Sequence, residues 1–173
     1  MFLFIQANDC VCTQVDCPQV GLNNIIMGNG GANITYEYIE QGGYVVISSA
    51  YGTVQTTSLD NGSETTSCTQ KYSRMLEDDG EQNCDAGHIL ANRLGGYGNT
   101  PINIFPQDAT VNRGIYAQFE GEIYNCLSNG TKIANVEWYF LYENSERTMP
   151  NYVNYTATFV EGNCTTISTL FPN

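Results

Sequence analysis

The 173-residue chain carries six Lys and Arg residues against eighteen Asp and Glu residues, a formal net charge of −12. This charge excludes a protein that holds nucleic acid on a broad basic face through counterion release. With 42% apolar and 12% aromatic residues, the chain can build a sizeable core. No internal repeat or linker divides it, so we expect one domain over residues 1–173, with residues 1–30 as a cysteine-rich N-terminal segment.

The N-terminal residues and the glycosylation sequons indicate an exported protein. The first residues, MFLFIQA, are apolar but too short for a complete signal peptide, so they are either a truncated signal or a first strand. Seven cysteines and several Asn-x-Ser/Thr sequons are typical of secreted glycoproteins, and no stretch is long enough to span a membrane. The predicted N-glycosylation sites are Asn33, Asn61, Asn129, Asn154 and Asn163.

The cysteines predict disulfides rather than a zinc site, because an exported chain favours oxidised pairs and this one has a single histidine. Sequence cannot assign the connectivity. An odd number leaves one thiol free or bonded to another chain, and the crowded Cys10, Cys12 and Cys17 are where an intermolecular bond would form most easily. The sequence therefore predicts an oligomer that is linked or assembled through the N-terminal cysteines.

Strand patterns follow the N-terminal segment. Residues 33–59 are rich in β-branched and aromatic residues and are broken by Gly-Gly and Tyr-Gly, which predicts two or three antiparallel strands. The next residues, TQKYSRMLEDDGEQN, are predicted to be a polar loop. Two further strands are predicted in ANVEWYFLYEN and TMPNYVNYTATFVEG. With a helix between these groups, the chain is predicted to be α+β with a central antiparallel sheet.

The stretch from Cys84 to Cys126 holds the single histidine and the densest run of Asn, Gln and acidic residues. DAGHIL is predicted to be a strand that projects His88, whose imidazole can take a proton from water near neutral pH. In NRGIYAQFE, Asn112 and Glu120 are eight residues apart, so a helix places them on nearly one face. A hard cation such as Mg²⁺ prefers oxygen ligands and retains water, so Asn112 directly and Glu120 through water would hold it.

Three motifs in this order, DAGHILANRLGG, NIFPQ and NRGIYAQFE, resemble the DNA/RNA non-specific endonuclease family, the ββα-metal (His-Me finger) nucleases. The resemblance implies that His88 activates water, that Asn112 is the sole direct protein ligand of Mg²⁺ or Mn²⁺, and that Glu120 holds a metal-bound water. Together with the signs of export, it predicts a secreted enzyme that hydrolyses the phosphodiester bonds of DNA and RNA alike, because nothing in the motifs reads bases.

Further positions receive roles from the same resemblance. Asn103 matches an asparagine that braces the site, and Asp85 matches the acid that opens the motif and orients the histidine region. A family arginine steadies the developing phosphorane charge, and here Arg74 and Arg113 are the candidates. Ala86 departs from the family, which often has arginine at this position, but a branch that includes bacterial secreted toxin nucleases has small residues there.

Structural interpretations of the same residues are also open. Asn112 could cap a helix, and Glu120 could be a solvated helix acid. Gly95, Gly96 and Gly98 in RLGGYGN lack the preceding strand and the Lys-Ser/Thr ending of a P-loop, so they are predicted to form a flexible turn.

Two alternatives to a secreted nuclease remain. The first is a catalytically weakened nuclease fold that serves as a structural or binding subunit of an extracellular glycoprotein assembly, which the charge and Ala86 would suit. The second is a toxin-like nuclease delivered against competitors, which would use the same site and require an inhibitor in the producing cell. For an active enzyme, the charge predicts weak and salt-sensitive substrate binding.

Overall fold

The computed structural model describes residues 10, 12, 15–77 and 84–173 of the chain, and the prediction for MFLFIQA falls outside them. A large sheet, a small sheet and two helical regions form the fold. The strands and helices are β1 Gly21–Met27, β2 Ala32–Gln41, β3 Tyr44–Gln55, α1 Ser67–Met75, β4 Asp85–His88, β5 Ile104–Gln107, α2 Ala109–Val111, α3 Ala117–Ser128, β6 Ile133–Leu141, β7 Tyr152–Val160 and β8 Ile167–Pro172. A π-helical turn, Asn112–Tyr116, joins α2 to α3.

The large sheet has six strands in the order β1-β2-β3-β6-β7-β8, and every neighbouring pair is antiparallel. This confirms the predicted α+β class with an antiparallel sheet. β2 and β3 form the hairpin predicted around Gly42 and Gly43, and β6 and β7 are the two strands predicted in the last third of the chain. The edge strands β1 and β8 are not among the predicted strands.

The core lies between one face of the large sheet and the helical stretch. In β6, Ala134, Val136, Trp138 and Phe140 are buried and alternate with outward-facing neighbours, so every second side chain enters the core. The rings of Trp138 and Tyr155 pack with centroids 4.5 Å apart. Full burial of a large apolar side chain stabilises the fold by about 1.5–3 kcal/mol. The helical side chains in this core are Tyr116, Phe119, Ile123 and Leu127.

β3 continues through Tyr51 and Gly52, where the sequence predicts a turn, so that prediction is wrong. A side chain at residue 52 would collide with the backbone carbonyl oxygen of Asn33 in β2. Glycine is required here because two strands approach each other closely, and the chain does not change direction.

Residues Ser67–Met75 form α1, so the prediction of a polar loop is wrong for this segment, and the end of that loop lies outside the described residues. Thr66 and Thr69 form a capping box, in which each hydroxyl accepts a hydrogen bond from the other residue's backbone N–H. The helix has few apolar residues, and a disulfide at Cys68 and the buried ring of Tyr72 attach it to the fold.

Three disulfides lie within the chain: Cys10–Cys17, Cys12–Cys68 and Cys126–Cys164. The prediction of an intermolecular bond at the N-terminal cysteines is wrong, because all three are paired internally. They pack into a small apolar cluster with side chains of α1 and β5, which holds their sulfur atoms close together. Cys84 lies outside the disulfides, and its Sγ donates to Met149 Sδ at 3.5 Å. Assembly into an oligomer by other contacts stays a prediction.

Candidate active site

The candidate site lies where the β4–β5 hairpin meets the helical stretch. β4 and β5 pair antiparallel, with His88 opposite Ile104. The chain leaves β5 and enters α2 directly, where the Asp108 carboxylate caps the helix by accepting from the Val111 N–H at 2.9 Å. Two strands and a helix thus follow one another as the resemblance implies, and His88 ends the strand that faces the helix.

The His88 ring is held by a backbone carbonyl. Its Nε2 lies 3.0 Å from the Ser63 oxygen. Because a carbonyl oxygen only accepts, Nε2 carries the proton, and Nδ1 is the basic nitrogen of the neutral ring. Burial lowers the pKa of His88 below its usual value, although the Ser63 hydrogen bond and the Glu64 charge oppose this shift. The ring is therefore neutral near pH 7, with Nδ1 ready to accept a proton.

The glycine-rich segment RLGGYGN contains turns at Gly95 and Gly98, as predicted, and it packs against this histidine. A Cβ atom at Gly98 would lie 2.6 Å from His88 Nε2, closer than nonbonded atoms can approach. The Gly98 N–H donates to the Ser63 carbonyl oxygen at 2.9 Å, the same atom that accepts from the imidazole. The segment thus fixes the ring from its protonated side.

The Asp85 carboxylate binds the start of the helical stretch. Asn112 Nδ2 donates to Oδ2 at 2.8 Å, while Arg113 Nε donates to Oδ2 at 2.8 Å and Nη2 to Oδ1 at 2.6 Å. A carboxylate only accepts, so the Asn112 amide must turn its nitrogen to Asp85, which leaves Oδ1 as the oxygen for a cation. Burial alone would raise the pKa of Asp85, but the hydrogen bonds from Arg113 and Asn112 and the charge of Arg113 outweigh burial and lower it.

These contacts differ from the expected role of Asp85, which was to orient the histidine region. Its partners belong to the helical stretch, so the aspartate connects the first residue of β4 to Asn112 and Arg113. The Arg113 side chain is 74% exposed although it is paired, so it reaches over the open surface of the site.

The π-helical turn sets the direction of Asn112 relative to Glu120. In a regular α-helix each residue turns by about 100°, so residues eight apart differ in direction by about 80°. A π turn contains more residues than an α turn, which reduces this offset. Gly114 supplies the irregular backbone, with φ −108° and ψ −108°. Asn112 and Glu120 consequently line the same cleft, as their spacing predicts.

Glu120 is a buried acid rather than a solvated one, with 9% of its surface exposed. Within the described part of the chain, no hydrogen bond or ion pair satisfies its carboxylate. Burial raises the pKa of Glu120 to about 8, and the Arg93 charge offsets only part of that effect. A buried carboxylate without a partner is costly, and a cation or its bound water would remove that cost.

Asn103 supports the site from inside the protein. Its Oδ1 accepts from the Tyr36 hydroxyl at 2.7 Å and from the Leu90 N–H at 2.9 Å. Its Nδ2 donates to the carbonyls of Leu90 and Tyr97 at 2.9 and 3.2 Å. The residue is fully buried, so it does not reach the cleft. It acts by holding the backbone that follows His88.

Two open clefts meet at His88 and Asn112, and Glu64 borders both. The first, which we call the acidic cleft, has a volume of about 490 Å³ and is also lined by Asp60, Arg93 and Glu120. The second, which we call the arginine cleft, has a volume of about 390 Å³ and is also lined by Arg74, Asp85 and Arg113. The two arginines that the sequence offers as rivals therefore border the same cleft.

Several residues of the site received no role from the sequence, among them Ser63, Glu64 and Arg93. Ser63 and Glu64 lie in a loop before α1, outside the motifs, and only the folded chain brings them to the histidine. Glu64 Oε1 accepts from Asn92 Nδ2 at 2.6 Å, which anchors this loop to the segment after His88. Arg93 lies inside the first motif, and only its positive charge could have indicated a role at the site.

The donor set fits a hard, hydrated cation and not a protein-enclosed one. Among the described residues, no group of three or more His, Cys, Asp and Glu side chains could hold a metal ion. A cation would therefore depend on the Asn112 Oδ1 atom and on water, with Glu120 facing the same cleft. Mg²⁺ is commonly bound in this way, through one or two protein oxygens and several waters.

The sequon asparagines differ in their surroundings. Asn33, Asn129 and Asn163 are exposed, and Asn154 is partly exposed on β7. The side-chain nitrogens of two sequon asparagines are already engaged: Asn61 donates to two backbone carbonyls of its own turn, and Asn129 donates to the Asn125 carbonyl at 2.8 Å. Glycosylation of all five stays a prediction. None of the described helices has the length and apolar character needed to cross a membrane.

Two comparisons of sequence identify similar proteins. A profile of the DNA/RNA non-specific endonuclease family matches residues 24–160, which include both clefts. A curated protein, the probable deoxyribonuclease RhsA of Dickeya dadantii (strain 3937), is 39% identical over 109 residues, or 63% of this chain. The match covers 7% of RhsA, so the chain corresponds to a small part of that protein.

Solved structures of NucA from Streptococcus agalactiae have a similar fold. The structure with no metal bound gives a TM-score of 0.57 at 13% identity, covering 92% of this chain and 83% of NucA. The structure with a magnesium ion bound gives a TM-score of 0.59 at 15% identity, covering 93% of this chain and 85% of NucA. At these identities the likeness concerns the fold.

Proposed function

The chain belongs to the DNA/RNA non-specific endonuclease family, and on this basis we propose that it is a metal-dependent endonuclease that hydrolyses phosphodiester bonds of DNA and RNA. The observation that carries the proposal is the protonation and position of the His88 ring. Its Nε2 proton is committed to the Ser63 carbonyl, its pKa is lowered by burial, and its ring borders both clefts beside Asn112.

We assign His88 as the general base. Its Nδ1 takes a proton from a water molecule while that water attacks phosphorus in line with the leaving 3′ oxygen. The Ser63 and Gly98 contacts hold the ring in the tautomer that makes Nδ1 basic. Asn103 acts as a positioning residue, because its hydrogen bonds fix Leu90, close after the histidine in the chain.

We assign Asn112 as the direct ligand of Mg²⁺ or Mn²⁺ and Glu120 as the residue that holds a metal-bound water. Asp85 supports the ligand by fixing the orientation of its amide. When bound, the cation neutralises charge on a nonbridging phosphate oxygen and on the leaving oxygen. The solved NucA structure with magnesium bound supports this choice of cation.

Arg113 is our candidate for steadying the charge that develops on the phosphate. Asp85 accepts from Nε and Nη2, and the remaining N–H groups of the guanidinium are left for an anion. Arg74 borders the same cleft from α1 and is the second candidate.

We further propose that the protein acts outside the cell and carries N-linked glycans on some of its sequons. Three disulfides support an oxidising compartment, because such bonds persist in exported proteins and are rare in the cytosol.

Cleavage assays test the nuclease assignment. Single- and double-stranded DNA and RNA with fluorogenic labels should be cleaved in Mg²⁺ or Mn²⁺, and EDTA should stop the reaction. Replacing His88 by Ala removes the base and should slow cleavage by about 10²–10⁴-fold without unfolding the protein. Asn135→Ala, on the outward face of β6, is the matched control and should keep the full rate.

Two results would contradict the assignment. Undiminished hydrolysis by a folded His88→Ala protein would exclude His88 as the base. A folded wild-type protein that cleaves none of the four substrates in either metal would favour the alternative, a nuclease fold retained as a structural or binding subunit.

A further inference from the structure

The cationic side chains of this acidic chain are concentrated at the site. Of its six Lys and Arg residues, Arg93 lines the acidic cleft, and Arg74 and Arg113 line the arginine cleft. Lys71 lies on α1, three residues before Arg74. The net charge of −12 therefore coexists with a short row of arginines that passes His88. The cations that line neither cleft are Lys71, Lys132 and Arg147.

We propose that these three arginines bind the phosphates of the substrate, and we call them the arginine footprint. The preferred substrate is then single-stranded nucleic acid. The inference rests on the proposed nuclease function and specifies its substrate class. A strand that runs through both clefts places the cleaved phosphate between His88 and Asn112. Arg113 then reaches the cleaved phosphate, Arg93 lies near the phosphate on one side, and Arg74 lies near the phosphate on the other.

All three guanidinium groups have the capacity to bind phosphate. Asp85 occupies two of the five N–H donors of Arg113, and three remain on a side chain that is 74% exposed. Arg74 and Arg93 are exposed as well. Arginine suits this task because its planar group donates two parallel hydrogen bonds to phosphate oxygens.

A duplex does not fit this distribution of charge. Double-stranded DNA carries about one negative charge per 1.7 Å of its axis, on two strands held rigidly together. Only one strand can follow the arginines, so the phosphates of the other lie over a surface with few cations. Eighteen acidic residues outnumber the six cations of the chain, so the surface away from the arginines repels the second strand. A single strand is flexible and needs no further cations.

The arginine footprint predicts a definite salt dependence. For single strands, the logarithm of affinity falls with the logarithm of salt concentration with a slope of about −0.7 per phosphate contact. Three contacts give a slope of about −2, so affinity should fall about 20-fold between 50 and 200 mM salt. Removal of one contact should reduce that loss to about sevenfold.

Fluorescence anisotropy of labelled 12-mers in EDTA measures binding without cleavage. The whole chain should bind oligo(dT) at 50 mM salt at least about 10-fold more tightly than a duplex 12-mer, with the slope given above. Arg74→Gln and Arg93→Gln should each lower the salt-dependent loss to about sevenfold. Lys132→Gln changes the net charge equally but lies outside both clefts, so it should retain the full loss of about 20-fold.

Three results would overturn the proposal: no binding of oligo(dT) at 50 mM salt, equal or tighter binding of the duplex, or the same effect for Lys132→Gln as for the arginine variants. Because the measurement needs no catalysis, it is independent of the nuclease assignment. If binding depends on the arginines but no cleavage occurs, the arginines bind the substrate and the nuclease assignment is wrong. If the protein cleaves but binding does not depend on the arginines, the nuclease assignment holds and this proposal is wrong.

Discussion

The large sheet and the β4–β5 hairpin bury different kinds of side chain. β6 and β7 send every second residue into an apolar core, where the tilted rings of Trp138 and Tyr155 pack among other hydrophobic side chains. Beside the hairpin, buried polar groups lie among apolar ones such as Phe105, with Asn103 in four hydrogen bonds and Glu120 without a partner among the described residues.

The comparison shows that stability and site geometry come from separate sources in this chain. The stability gained from apolar burial depends on the volume that is filled and changes little between apolar side chains of similar size. A buried polar group stabilises the fold only when its hydrogen-bond partners are in place. Substitutions in the sheet should therefore change the amount of folded protein, and substitutions around the hairpin should change what the folded protein does.

Trp138→Ala should give the largest loss of stability. It removes a fully buried ring from the sheet core, so the free energy of unfolding should fall by about 3–5 kcal/mol in urea titrations. The activity of the remaining folded protein should be unchanged. Tyr139→Ala, at the adjacent outward position, is the control and should alter stability by no more than about 0.5 kcal/mol. Loss of activity in folded Trp138→Ala protein would show that the two regions are coupled.

Asn103→Ala should have a smaller effect on stability and a larger one on activity. It leaves the Leu90 N–H and the Tyr36 hydroxyl without their acceptor, which should cost about 2–3 kcal/mol in the same titrations. The backbone after His88 loses its anchor, so cleavage by the folded fraction should also fall. Asn135→Ala on the sheet surface is the control. Full activity in folded Asn103→Ala protein would exclude a positioning role.

Glu120→Gln should stabilise the metal-free protein, by an amount that depends on pH. The pKa of Glu120 is about 8 when folded and ordinarily 4.5, so folding takes up a proton between these values and stability falls as pH rises through this window. Glutamine carries no charge, so it should gain on the order of 1 kcal/mol at pH 8 and almost nothing near pH 4.5, because the open cleft hydrates part of the charge. Thermal unfolding in EDTA at both pH values measures this, and a pH-independent difference would contradict it.

The sequence could predict the regular parts of this fold because they follow simple periodicities. β2, β3, β6 and β7 carry enough β-branched and aromatic residues to be recognised individually. α1 was missed because a disulfide and one tyrosine attach it, so it lacks the apolar stripe of a self-sufficient helix. The turn at Gly52 was predicted wrongly because a glycine that permits close approach looks the same in sequence as one that permits a turn.

The candidate site was predictable where motif residues act alone, as with His88, Asn112 and Glu120, which meet at one cleft. It was not predictable where a partner comes from a distant loop. The Ser63 carbonyl, which selects the histidine tautomer, carries no side-chain signal at all. The attachment of Asp85 to Asn112 and Arg113 likewise depends on how the hairpin and the helix meet.

The π-helical turn at Asn112–Tyr116 makes the winding of the helix part of the site. If all residues were kept but the turn closed as a regular α-helix, Asn112 and Glu120 would differ in direction by about 80°. Both side chains would still be present, yet they would no longer face the same cleft. A change that alters only the backbone of this turn can therefore remove the cation site without replacing either residue.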